Sequence, residues 1–120
     1  MKDSVILEDV KKVIGFDPDF TEFDLDITMH INSAFATLNQ IGVGPEEGFS
    51  VDDGNELWSD FIEDTRLSMV KSYVFLKAKL QFDTSTATSY YINNMSDMAK
   101  EYEWRLQVAS ADIKREGTQE

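Results

Sequence analysis

Between Phe20 and Ile41 the apolar residues Phe20, Phe23, Ile27, Ile31, Ala34, Leu38 and Ile41 recur at intervals of three or four, with Phe35 beside them. This is the repeat of one face of an α-helix, so the stretch predicts a helix of about twenty residues that buries one side. A helix with one apolar stripe is stable only against other elements that bury it. The rest of the chain supplies them at the same period.

A first helix is predicted from about Val5 to Ile14, where Ile6, Leu7, Val10, Val13 and Ile14 share one stripe, and Gly15 ends it. Phe16-Asp17-Pro18-Asp19 reads as a turn. The second helix should start near Thr21, with Asp24 three residues on as the return partner of a capping box. Glu22, Asp24 and Asp26 also suit the positive end of the helix dipole. Gly42-Val43-Gly44-Pro45-Glu46-Glu47-Gly48 stops it. The irregular region runs on to about Glu56, longer than an ordinary helix connection, and Phe49-Ser50-Val51 before Asp52-Asp53-Gly54-Asn55 allows a short hairpin ending near Leu57. A helical turn around Trp58 and Phe61 precedes a helix from Thr65 to about Phe82, whose Leu67, Met69, Val70, Tyr73, Val74, Leu76 and Leu80 cover more than one stripe and predict a central position. Asp83-Thr84-Ser85-Thr86 supplies a break and possible caps. The last helix carries Tyr91, Met95, Met98, Tyr102, Leu106, Ala109 and Ile113, nearly a heptad repeat, and should fray after Ala111 into a polar tail. The expectation is an all-α fold: a small bundle of about four helices, with a long loop or short hairpin between helices two and three and a mobile C-terminal tail. Residues 1–111 would be the domain and 112–120 the tail.

With 120 residues and no cysteine, the chain can bury a core without disulfides, and thiolate metal sites and cysteine nucleophiles are excluded. No apolar run approaches the roughly 20 residues that span a bilayer, and the N-terminus lacks a signal-peptide pattern, so neither membrane insertion nor export by that route is expected. The formal charge of −12 opposes phosphate binding as a main activity. It is unevenly spread. Residues 1–64 hold 16 acids against 3 lysines, or −13, and residues 65–120 hold 7 acids against 8 bases, or +1. Arg66, Lys71, Lys77 and Lys79 lie in a stretch with no acid at all.

Catalytic patterns fail one by one. His30 is the only histidine and has no cysteine to complete a ligand set or a triad. Gly42-Val43-Gly44 lacks the third glycine of a dinucleotide fingerprint. Asp52 and Glu63 have the first-to-twelfth spacing of a calcium loop, but Gly54 stands at its third position and Leu57 at the sixth, where glycine is required. Acid pairs such as Asp17/Asp19 read as solvated charge. No catalytic residue, cofactor or metal site is expected, and the chain is read as a non-enzyme. Tyr90 and Trp104 fall off the stripe of the last helix and are candidates for a second interface.

Trp58-Ser59-Asp60-Phe61-Ile62, then Val70-Lys71-Ser72-Tyr73-Val74-Phe75-Leu76-Lys77-Ala78-Lys79-Leu80-Gln81-Phe82-Asp83, then Glu101-Tyr102-Glu103-Trp104-Arg105-Leu106, in this order, resemble the head-tail connector (adaptor, or head-completion) proteins of long-tailed bacteriophages. The likeness runs nearly the whole chain; Thr84 and Ser85 depart from it where such sequences often carry proline. The resemblance implies a structural virion protein of the neck, made in the host cytoplasm. It implies a homo-oligomeric ring, dodecameric, that joins the portal protein of the DNA-filled head to a tail-side head-completion or stopper protein, with DNA only as passing cargo and no membrane partner. By position, Asp112, Ile113, Lys114, Arg115, Glu116, Gly117, Thr118, Gln119 and Glu120 would reach the portal.

Candidate subunit-interface residues are Glu22, Asp24 and Asp26 on the acidic side, Arg66, Lys71, Lys77 and Lys79 on the basic side, and Tyr90 and Trp104. Two readings of the basic helix stand: its cations face acidic helices of the next copy, or they pair inside their own. A different class also fits the charge, an acidic DNA-mimic inhibitor of a nucleic-acid enzyme. It does not account for the acids gathering in one half.

Overall fold

A computed structural model describes residues 3–83 and 89–118. Among them five helices follow one another with no strand: α1 (Ile6–Ile14), α2 (Asp24–Gln40), the single turn α3 (Trp58–Phe61), α4 (Leu67–Asp83) and α5 (Ser89–Thr118). The helical bundle predicted from the apolar period is the fold. α4 is its centre, packing on α1, α2 and α5. Its buried Val70, Tyr73, Val74, Leu76, Ala78 and Leu80 spread round more than half of the helix, as a core-spanning element requires. α2 contributes Ile27, Ile31, Ala34, Phe35 and Leu38 to the same core, and α1 contributes Ile6, Leu7 and Val10.

α1 ends where glycine permits it to. Gly15 adopts φ 116°, and its N–H and that of Phe16 both donate to the Lys11 carbonyl at 3.0 and 2.8 Å. The next helix begins later than the sequence predicts. The Thr21–Asp24 capping box is not formed: Phe23 holds the cap position without a side-chain cap bond. Asp24 is drawn elsewhere because the Lys11 side chain, only 2% exposed, is carried into the core by α1. A buried ammonium is costly unless paired. It donates to the Pro18 carbonyl at 2.8 Å and forms an ion pair with Asp24 Oδ1 at 2.9 Å, an oxygen that is itself buried.

The hairpin allowed for residues 49–57 is absent as well. Instead Leu57 makes one isolated antiparallel bridge with Val5, flanked by Ile6 N–H to the Glu56 carbonyl at 3.0 Å and Trp58 N–H to the Ser4 carbonyl at 3.2 Å. The backbone of Val51 is satisfied by a side chain: Asn32 on α2 donates to its carbonyl at 2.9 Å and accepts from its N–H at 2.6 Å, replacing a partner strand. Asn39 fixes the other end of the loop through the Pro45 carbonyl at 2.9 Å. Glu56 accepts from the N–H groups of Asp52, Asp53 and Gly54 at 2.8, 3.3 and 3.1 Å, so its carboxylate organises the turn. Gly44, at φ 89°, crosses directly over the ring of Phe61.

α5 continues to Thr118, beyond the end expected near Ala111. Its buried residues are Ala99, Leu106 and Ser110, while Met98 and Ile113 of the predicted stripe are 47% and 40% exposed. Buried Tyr73 donates to Glu103 Oε2 at 2.7 Å and ties α4 to α5; burial, then the carboxylate, pushes its phenol far above the ordinary tyrosine range. The break expected at Thr84 to Thr86, and the last residues Gln119 and Glu120, lie outside the described residues.

Candidate assembly surfaces

The residues singled out for subunit contact divide by exposure. On α2, Glu22 precedes the helix and Asp26 lies in its first turn, both exposed, whereas Asp24 is committed to Lys11. On the basic side Arg66 is engaged within the chain. Its guanidinium donates to Asp64 from Nε to Oδ1 at 3.0 Å and Oδ2 at 3.2 Å and from Nη2 to Oδ2 at 2.6 Å, and donates to Ser110 Oγ at 2.7 Å, joining the start of α4 to α5. The hydrogen bond from Arg66 holds the Asp64 carboxyl below the usual carboxylate range. Lys71 places its ammonium 5.6 Å from the ring centroid of buried Trp58, a cation–π contact. Lys77 and Lys79 are half-buried on α4. The positive stretch of the sequence is thus partly consumed by the packing of its own subunit.

Tyr90 and Trp104 stand on α5 at 78% and 65% exposure. They share its outward side with Lys100 and Val108, one turn either side of Trp104. Two further apolar residues were not singled out by sequence reasoning: Leu25 and Met29, 73% and 61% exposed and one turn apart on α2. A signal for them existed, since both interrupt the polar side of a helix whose other side is complete without them. Of the C-terminal candidates, Asp112 is half-buried and Ile113 exposed, and the backbone stays helical from Lys114 to Thr118.

An open groove of about 640 Å³ lies where the C-terminal end of α2 and the Gly42–Glu46 segment face α5; Gln40, Ile41, Glu46, Arg66, Gln107 and Ser110 line it. Of its polar groups, Ser110 accepts from Arg66 and Asn39 donates to the Pro45 carbonyl. His30 is half-buried on α2. Among the described residues no group of three or more His, Asp or Glu is placed to hold a metal ion, and no helix is long and apolar enough to cross a membrane.

The chain matches the model of the phage connector protein family over residues 6–112, a span that takes in α1 to α4 and most of α5. No curated protein and no solved structure gives a match. A match over so much of the chain agrees with the likeness carried by the Trp58, Val70 and Glu101 segments, and the chain belongs to the phage connector protein family, structural proteins of the head-to-tail junction.

Proposed function

We propose that copies of this chain close into a ring, dodecameric in keeping with its family resemblance, between the portal and a tail-side stopper or head-completion protein, leaving a channel for DNA. The observation that carries this reading is the family match over residues 6–112. The charge supports it. A surface with a formal −12 repels the phosphates of passing DNA, and carboxylates facing a channel keep the duplex from adhering. The subunit contact draws on the exposed groups, Glu22 just before α2, Asp26 on α2, and Tyr90 and Trp104 on α5, because Asp24, Arg66 and Lys71 already have partners in their own copy. Residues 112–120 serve the portal. α5, 30 residues or about 45 Å, is nearly as long as the 49 Å molecule, which brings its C-terminal end to an extremity where a second protein can reach it.

The test is genetic. Infection with phage whose gene for this chain carries an early stop codon should accumulate DNA-filled heads and separate tails, and adding the purified chain should restore their joining. Normal virions in its absence would rule the role out.

A further inference from the structure

Two solvent-facing helix sides are apolar at their centres, and they differ in kind. α5 offers Trp104 and Val108, 65% and 41% exposed, with Lys100 one turn before Trp104. α2 offers Leu25 and Met29, with exposed Asp26 beside them and the small, exposed Ser33 and Ala36 one and two turns further on. One side presents a bulky aromatic and the other a flexible thioether above small residues, a pairing of knob and shallow hollow in which sulfur meets ring. Lys100 and Asp26 have no charge partner among the described residues. The two helices pack chiefly on α4 rather than on each other.

We infer that the Lys100–Trp104–Val108 side of α5 in one copy docks on the Asp26–Met29–Ser33 side of α2 in the next. This rests on the ring reading above. Aligned in parallel, the helices match turn for turn: Lys100 with Asp26, Trp104 with Met29, Val108 with Ser33, Ala111 with Ala36. Two unlike, complementary patches on different helices produce head-to-tail association, whereas a twofold dimer needs one patch that is complementary to itself. The contact is small. α2, 17 residues long, offers about 25 Å of length and about 10 Å of width, or about 250 Å² per copy. A stable pair buries about 800 Å² per partner. The occupant is therefore another copy held by ring closure on the portal, not a tight free dimer.

The chain has no cysteine, which makes the test clean. In virions assembled with the Ser33→Cys/Val108→Cys chain, oxidation should produce a ladder of covalent oligomers beyond the dimer, and each single-cysteine chain should stay monomeric. Ala36→Cys/Ala111→Cys serves as a second pair if the first does not assemble. Lys100→Glu should cut incorporation into necks at least tenfold, and Lys100→Glu with Asp26→Lys should restore it. Dimers from a single-cysteine chain, or crosslinks to a different protein, overturn the contact. A ring of this chain seen in the necks of double-cysteine virions that give no ladder overturns the contact while leaving the ring reading intact; necks with no ring overturn both.

Discussion

Replacing Gly44 with alanine tests how the loop after α2 is seated on the core. A Cβ at this position falls 2.3 Å from Phe61 Cε1 and 2.6 Å from Cζ. The ring cannot swing aside, because Phe35 and Phe49 pack on it with centroids at 4.6 and 5.4 Å. The φ of 89° adds a backbone cost of about 1–2 kcal/mol for any residue with a Cβ. Overpacking adds about 1–3 kcal/mol. Together they remove about 2–5 kcal/mol from a total that for a domain of this size is about 5–15 kcal/mol. Gly42→Ala is the matched control: its φ is 92°, yet nothing lies within 4 Å of the added carbon, so it carries the backbone cost alone. Urea unfolding followed by tryptophan fluorescence should place Gly44→Ala at least 1 kcal/mol below Gly42→Ala, and Gly44→Ala with Phe61→Leu should recover part of the gap. Equal midpoints for the two alanine variants would refute the close crossing over Phe61.

Other consequences follow from the buried polar contacts. Lys11→Ala strips Asp24 Oδ1 of its partner and should cost about 2–4 kcal/mol, less than a fully buried pair because Asp24 keeps 30% exposure, while Lys11→Met with Asp24→Asn should recover most of it in thermal melts. Tyr73 holds its proton more tightly folded than unfolded, so its contribution is complete below the ordinary phenol value of about 10 and is lost as pH rises above it; Tyr73→Phe should flatten the alkaline limb of stability and lower the plateau by about 1–2 kcal/mol. Asp64 has the opposite sign: its depressed value supplies stability above the ordinary aspartate value of about 3.9 that fades as pH falls further, and Asp64→Asn should remove that part of the acid limb.

What was legible in the sequence was whatever repeats at helical spacing. Ile27, Ile31, Ala34 and Leu38 named the buried face of α2, and the wide apolar coverage of residues 67–80 marked α4 as central, because periodicity reports directly on which side of a helix meets other elements. The misses depend on contacts between distant residues. A lysine in the α1 stripe gives no sign that it will be buried, so neither Lys11 nor its effect on the start of α2 could be read locally. Ala99 and Ser110 are buried on α5, but small residues stand out less in an apolar repeat than their larger neighbours. Phe49-Ser50-Val51 alternates like a strand, yet its partner is the side chain of Asn32, which no pairing pattern announces. The end of α5 was placed at a loss of apolar residues, but polar residues favour helix as readily once the preceding turns are formed. At the candidate surface, the cations of α4 could be counted but not assigned, since whether Arg66 faces a neighbour or Asp64 is decided by packing.

The most direct test of the whole account is cryo-electron microscopy of the virion neck without imposed symmetry. The account predicts a closed ring of this five-helix fold between portal and tail, with the C-terminal end of α5 against the portal and carboxylates toward the DNA path. A neck in which the portal meets the tail with no density for this fold would contradict it.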